Sequence, residues 1–323
     1  MVVSVLMPTY NHERFIEQAI LSFIQQQVDF DIELLIGDDC SSDNTSFIAR
    51  IYAEKYPNKI HLFQYSVNRG LMHNYKYLLN QAKGKYIAIL ESDDIWLDPF
   101  KLHKQVEIIE KTPNCGLVFS NWIVIDADSK EVTRSQRTLK TIGYSDLLKS
   151  NMVAAVTVLF SRNMFDLYCD IDEYILCNFK TLDYPVWLSI SAHSNIIYLD
   201  DYTAGYRCLS TSISNSNSYQ RSMAFNQSID AIVQYVVSKY GKGELTIKEL
   251  ENASKLRYLT QAFQFKKFSQ AFSIAWTFHA TNIKSFIIKV LPFIWLCKNR
   301  KLIGQRLKLS LIHISEPTRL LSI

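Results

Sequence analysis

Three carboxylates fall within four residues at Glu91-Ser92-Asp93-Asp94, directly after the apolar run Tyr86-Ile87-Ala88-Ile89-Leu90. Like charges at that spacing repel, and they ionise cheaply only with a cation between them. Oxygen ligands of this kind suit Mg²⁺ or Mn²⁺, which take one or two carboxylates and leave positions for phosphate oxygens. The run before them reads as a strand buried on both faces, as in a parallel sheet. Side chains alternate along a strand, so Glu91 and Asp93 are expected to point the same way. Open α/β sheets bind ligands beyond the carboxyl ends of their strands, so the segment predicts a divalent cation holding a phosphorylated substrate. The competing reading is a solvated acidic turn ahead of the helix that follows Pro99.

Positioning these carboxylates falls to alternating strands and helices. Val2–Met7 reads as a strand broken by Pro8-Thr9-Tyr10-Asn11, with Asn11 as N-cap of a helix over His12–Gln27. Glu33–Ile36 is a second strand ending in Asp38-Asp39, and Ser41-Ser42-Asp43 opens a second helix stopped by Pro57. Ile60–Tyr65 is a third strand, Asn68-Arg69-Gly70 its turn, and Leu71–Ala82 a third helix. The opening stretch is the fourth strand and Pro99–Lys111 the fourth helix. This alternation predicts an α/β fold with a parallel, doubly wound sheet. The polar residues foreign to a core all follow strand ends, so one ligand could touch Thr9, Tyr10, Asn11, Asp39, Asn68, Arg69 and the acidic stretch. The first turn carries neither GxGxxG nor GxxxxGK[ST], which disfavours dinucleotide and P-loop sites.

Those segments, in this order and spacing, resemble the GT-A glycosyltransferases of family 2: Pro8-Thr9-Tyr10-Asn11, Gly37-Asp38-Asp39-Cys40-Ser41-Ser42-Asp43-Asn44-Thr45, Asn68-Arg69-Gly70 and Glu91-Ser92-Asp93-Asp94-Ile95-Trp96. Glu91 stands where the family usually has Asp, and Cys40 where it usually has Gly. The resemblance implies a nucleotide-sugar donor, expected to be a UDP-sugar, an Mg²⁺ or Mn²⁺ ion, and inversion at the anomeric carbon. It implies Asp93 and Glu91 as metal ligands, and Thr9, Tyr10, Asn11, Asp39, Asn68, Arg69, Asp94 and Arg207 as donor-binding residues. Asp183, in Thr181-Leu182-Asp183-Tyr184-Pro185, matches the family's acidic motif carrying the catalytic base. On its own, an acid just before Pro185 reads first as a helix cap, and the resemblance reverses that preference. Gly205-Tyr206-Arg207 is similar to the family's closing segment, with Leu209 where a His is common. The polar stretch Ser210–Ser218 after it suits a lid. The expected acceptor is a saccharide or polyprenyl-linked saccharide in cell-surface polysaccharide synthesis.

The resemblance places a GT-A catalytic domain over 1–220, with a nucleotide-sugar half over 1–115 and an acceptor half over 116–220. Residues 221–309 form a basic helical region, with amphipathic helices over Met223–Tyr240 and Thr246–Phe265. Residues 310–323 continue neither pattern and read as a non-native tail. With hydrophobic residues at 48% and charged ones at 20%, the chain can bury a sizeable core and global disorder is excluded. The six cysteines show no CxxC pair, so no zinc site or disulfide framework is indicated and a reducing compartment fits. The start runs straight into a strand with no signal-peptide pattern, so the expected location is cytoplasmic, at the inner face of the cell membrane.

Two other classes compete. A nucleotidyltransferase would need a Gly-rich loop where Pro8-Thr9-Tyr10 stands. A non-catalytic membrane-surface module would release no nucleoside diphosphate from a donor. Residues 252–323 hold 12 Lys/Arg and a single acid, Glu316, a charge of +11 against −7 for residues 1–251. Long apolar runs interleave with these cations, which favours a membrane surface over nucleic acid. Ile283–Cys297 is interrupted by Lys284, Lys289 and Pro292, so it reads as a helix lying in an anionic interface rather than spanning it. A helical bundle packed on the catalytic domain is the alternative. Juxtamembrane cations are each worth ~1 kcal/mol at an anionic leaflet, a term that salt screens, whereas apolar burial by Phe286, Ile287, Leu291 and Trp295 persists. The intact chain is therefore expected to co-sediment with anionic liposomes, less strongly in high salt, and a chain ending at Asn282 to stay in the supernatant. Equal recovery of both in the supernatant would favour the bundle.

Overall fold

The structure, a computed structural model, describes residues 1–135, 142–209 and 218–279. The chain divides into two compact units, Met1–Tyr144 with Met152–Leu209, and Ser145–Asn151 with the residues from Ser210 on. All of the expected lid Ser210–Ser218 except Ser218, the expected interfacial helix Ile283–Cys297 and the tail 310–323 lie outside the described residues.

In the first unit, strand and helix alternate as expected. β1 (Val3–Thr9), α1 (Ile16–Ile24), β2 (Ile32–Asp38), α2 (Thr45–Lys55), β3 (Ile60–Gln64), α3 (Leu71–Gln81) and β4 (Tyr86–Ile89) form the first half. β1, β2 and β4 are buried along their whole length, which is why they read as continuous apolar runs. The second half runs through β5 (Ile95–Trp96), α4 (Lys101–Lys111), β6 (Cys115–Ile125), β7 (Glu131–Arg134) and, crossing into the second unit, α5 (Tyr144–Lys149). A 3₁₀ turn (Ala155–Thr157), β8 (Leu159–Ser161), α6 (Arg162–Tyr168), α7 (Ile171–Leu176), α8 (Asp183–Ser191) and β9 (Asn195–Arg207) complete it. One sheet takes the order β3-β2-β1-β4-β8-β6-β9-β5, with β7 on β6. The first four strands are parallel. Beyond them the sheet is mixed rather than parallel throughout: β8 is antiparallel to both β4 and β6, β9 is parallel to β6, and β5 antiparallel to β9. A short apolar run such as Leu159–Ser161 carries no signal of its direction.

The first helix starts at Ile16, later than its apolar spacing suggests, and Asn11 is not its cap. Asn11 sits at φ 55, in the left-handed region that Asn tolerates. The amides that would open an earlier turn are already used. Asn11 N–H donates to Ser41 Oγ, His12 N–H to Thr45 Oγ1 and Glu13 N–H to Asp43 Oδ2. The β1–α1 and β2–α2 loops are thereby bonded to each other instead of each closing its own helix.

Two glycines permit the close approaches that place the site. A Cβ at Gly37 would lie 2.0 Å from Asn74 Oδ1, so only glycine lets α3 settle against β2 there. A Cβ at Gly205 would lie 2.9 Å from Ile95 Cγ1, where β9 pairs β5.

The second unit contains α5 beyond Tyr144, α9 (Tyr219–Tyr240), α10 (Ile247–Gln264) and α11 (Phe268–Trp276). Thr246 and Glu249 form a capping box on α10, and Gly241 at φ 82 ends α9. Leu259, Ala262, Ala271, Ala275 and Phe278 form a small core. No helix among the described residues is long and apolar enough to cross a membrane.

Beneath the end of the sheet in the first unit lies a buried cation. Lys101 on α4 donates to Gln105 Oε1 at 2.8 Å, and its Nζ lies 4.5 Å from the centre of the Trp96 ring. Gln105 Nε2 donates to Thr157 O and Trp96 Nε1 to Val156 O, so the lysine is fixed without a carboxylate in direct contact. Burial pushes its pKa down to about 7, against the opposing pull of the Asp98 charge. The unfolded lysine titrates near ~10.4, so between these values the unfolded chain binds the extra proton and this group's contribution to stability rises with pH. Lys101→Met is expected to exceed the parent in urea midpoint at about pH 6, with the gap narrowing towards about pH 9. A gap independent of pH would show that Lys101 carries no buried charge.

Candidate active site

The acidic segment is a turn. β4 ends at Ile89, and Asp94 N–H donates to Glu91 O at 2.9 Å. The i to i+3 turn, and not strand alternation, gathers the carboxylates. It also brings in Asp94, so that Glu91, Asp93 and Asp94 can each place an oxygen within 4.8 Å of the others. Burial raises the Glu91 pKa to about 7, with further upward pushes from the Asp93 and Asp183 charges and a downward one from the Tyr75 hydrogen bond. Burial also raises Asp93, against the His12 and Arg207 charges, and holds Asp94 well above the usual carboxylate range. Asp94 Oδ1 accepts Arg207 N–H at 2.7 Å, while Oδ2 is buried without a hydrogen-bond partner. An orphaned carboxylate oxygen beside two more carboxylates fits a hard divalent cation with oxygen ligands.

Neighbouring elements hold the turn from several sides. Tyr75, buried on α3, donates to Glu91 Oε1 at 2.8 Å. Ser92 Oγ donates to Thr9 Oγ1 at 2.8 Å and lies 2.7 Å from His12 Nδ1. Arg207, at the end of β9, donates from Nε to Asp93 O at 2.6 Å, and its side chain is turned into the protein rather than open to a ligand. Tyr75 and His12 carried no sequence signal. Tyr75 falls on the apolar stripe of α3 and reads as core, and His12 reads as an ordinary helix residue.

The strand ends expected to frame a nucleotide do meet. Thr9 and Asp38 are register partners at the ends of β1 and β2. Asp39 accepts Arg69 N–H and Gly70 N–H on its two oxygens, at 2.7 and 2.8 Å, and Asn68 Nδ2 donates back to Asp39 O. Asp39 therefore shapes the turn that opens α3, leaving its remaining lone pairs for a ligand. The Arg69 guanidinium lies over the Tyr65 ring, 5.2 Å from its centre. Tyr10 is exposed on the rim, and Asn11 Oδ1 accepts Ser42 N–H at 2.8 Å. Cys40 takes φ 63, the backbone region that favours glycine, which accounts for a glycine preference there.

Asp183 is the first residue of α8, and Leu182 occupies the cap position. No cap hydrogen bond is made by a side chain there, and Thr181 Oγ1 donates to the Asp183 carboxylate. Its charge acts on both Glu91 and Tyr75, which lie more than eighty residues away in sequence.

Comparison with known proteins agrees with this architecture. The chain is 30% identical over 209 residues to an uncharacterized protein of Mycobacterium tuberculosis, covering 64% of this chain and 58% of that one, so it spans less than two thirds of that relative. It is 30% identical to the putative teichuronic acid biosynthesis glycosyltransferase TuaG of Bacillus subtilis, covering 66% of this chain and 82% of TuaG. It is 30% identical to the UDP-Glc:alpha-D-GlcNAc-diphosphoundecaprenol beta-1,3-glucosyltransferase WfgD of Escherichia coli, covering 67% and 78%. In fold it is similar to S. aureus TarS 1-349 in complex with UDP-GlcNAc, with a TM-score of 0.58, 17% identity and coverage of 90% and 79%. It is equally similar to the mannosyltransferase PcManGT of Pyrobaculum calidifontis in complex with GDP-Man and Mn²⁺, with a TM-score of 0.58, 16% identity and coverage of 92% and 81%. Residues 4–167 match the sequence pattern of Glycosyl transferase family 2, and the chain belongs to that family of transferase enzymes.

Proposed function

We propose that this chain is an inverting, cation-dependent glycosyltransferase of cell-surface polysaccharide synthesis. It moves a sugar from a UDP-sugar to a hydroxyl of a saccharide or polyprenyl-linked saccharide at the cytoplasmic face of the membrane. The observation that carries this reading is the gathering of Glu91, Asp93 and Asp94 within 4.8 Å in one turn, whose buried Asp94 oxygen lacks a partner and whose Glu91 feels the Asp183 charge. The donor class is supported by the UDP-Glc in the name of WfgD and by the UDP-GlcNAc bound to TarS, and the acceptor by the diphosphoundecaprenol in the name of WfgD.

Asp93 and Glu91 would hold Mg²⁺ or Mn²⁺, and PcManGT is a complex with GDP-Man and Mn²⁺. The cation supplies positive charge against the leaving diphosphate. Tyr75 fixes one Glu91 oxygen and leaves the other for the ion. Asp39, Thr9, Tyr10, Asn11 and Asn68 frame the base and ribose, Arg69 adds positive charge near the phosphates, and Asp94 faces the sugar. Asp183 takes the proton of the acceptor hydroxyl as its oxygen bonds to the anomeric carbon. The bond from that carbon to the phosphate oxygen breaks on the opposite face, which inverts the configuration.

Donor hydrolysis and transfer are expected to stop in excess chelator and return with Mn²⁺. Asp93→Asn is expected to cut turnover by orders of magnitude. Asp183→Asn is expected to bind UDP normally and to lose transfer by about 10²–10⁴-fold, the usual contribution of a general base. Asp39→Ala, which frees both the base contact and the turn before α3, is expected to weaken UDP binding. Full activity in chelator would sink the cation, and wild-type transfer by Asp183→Asn would leave that residue a helix-end acid.

A further inference from the structure

We propose that Arg207 is a positioning residue, the centre of a latch that sets the cation-binding turn, and that Gln18 and Ser129 set Arg207 in place. This rests on the reading of Glu91, Asp93 and Asp94 given above. An arginine offers five N–H donors in a rigid planar fork. Four of them go to this chain. Nε donates to Asp93 O at 2.6 Å, Nη1 to Asp126 O at 2.7 Å and to Ser129 Oγ at 3.0 Å, and Nη2 to Gln18 Oε1 at 3.0 Å. The backbone N–H of the same residue donates to Asp94 Oδ1 at 2.7 Å. One residue thus grips the turn twice, by the main chain of Asp93 and by the side chain of Asp94.

The grip is fixed from behind. Gln18 Oε1 also accepts Ser129 Oγ–H at 3.0 Å, so Gln18, Ser129 and the guanidinium close a ring of hydrogen bonds. Ser129 lies in the β6–β7 hairpin at φ 63, where its N–H donates to Asp126 O, the same carbonyl that Arg207 uses. The Phe15 ring closes one face of the guanidinium, with Arg207 Cζ 4.7 Å from its centre. With 1% of its surface exposed, the side chain could reach a diphosphate only by giving up these four bonds. Its effect on the reaction therefore runs through the orientation of Asp93 and Asp94.

Gln18 separates this role from direct ligand contact, because it is exposed on α1 and bonds none of the three carboxylates. The experiment is titration of the free enzyme with Mn²⁺ alone, read by electron paramagnetic resonance, in parallel with UDP titration in the presence of saturating Mn²⁺. Gln18→Ala and Ser129→Gly are expected to weaken Mn²⁺ binding by up to about tenfold, the lower range for residues that orient metal ligands. Arg207→Lys keeps the charge but loses the fork, and is expected to weaken it further. Adding Gln18→Ala to Arg207→Lys should then change little, since the ring is already open. Amide exchange of the Leu90–Trp96 peptide should rise in the same variants. Unchanged Mn²⁺ affinity and exchange in Gln18→Ala, with Arg207→Lys losing only UDP affinity, would overturn the latch and place Arg207 on the diphosphate. No Mn²⁺ binding by the unaltered chain would instead refute the cation itself, a distinguishable result.

Discussion

Carboxylates held within 4.8 Å of one another and partly out of water repel, and a turn that carries three of them must be restrained from several sides. The surroundings of Glu91–Asp94 meet that requirement with contacts from four separate elements. Tyr75 comes from α3, the Thr9–Ser92 hydroxyl pair from β1, His12 from the loop before α1, and Arg207 from β9. Arg207 brings a permanent positive charge, and it spends its side-chain hydrogen bond to the turn on a main-chain oxygen. The carboxylates therefore keep their affinity for protons or a cation, and Glu91 sits near the middle of the physiological range.

The same economy of contacts appears where the ends of β1 and β2 meet the turn before α3. The carboxylate of Asp39 organises the backbone of Arg69 and Gly70, and Asn11 bridges to Ser42. Residues near a ligand site thus spend much of their hydrogen-bonding capacity on one another. Such mutual bonding holds the loops in place before a ligand arrives, which lowers the ordering cost of binding.

Much of this was legible in the residues. The alternating run to Lys111 has strong periodicity, and the clustering of polar residues after strand ends marks the ligand rim without a structure. Direction and geometry were less accessible. The antiparallel placement of β8 depends on tertiary pairing that a three-residue strand cannot encode locally. Alternation along a strand suggested the convergence of Glu91 and Asp93, but a hydrogen-bonded turn produces it and draws in Asp94 as well. Asn11 looked like a cap because the sequence does not reveal that nearby amides bond to Ser41, Thr45 and Asp43 across the rim. Tyr75 and Gln18 escaped notice because one sits on an apolar stripe and the other on a solvent-facing one, where their types are unremarkable.

The strand that ends in Arg207 has a consequence for how the protein is made. Chains are synthesised from the amino terminus, and domains generally fold as units. The residues of the four parallel strands are all made by residue 89. The acidic turn that follows lacks its grip until more than a hundred further residues are made and β9 lies beside β6 and β5. A chain that stops short of β9 lacks the residue that bonds both Asp93 O and Asp94 Oδ1, and so leaves the three carboxylates without that restraint. Setting of the acidic turn is thereby tied to completion of the whole sheet.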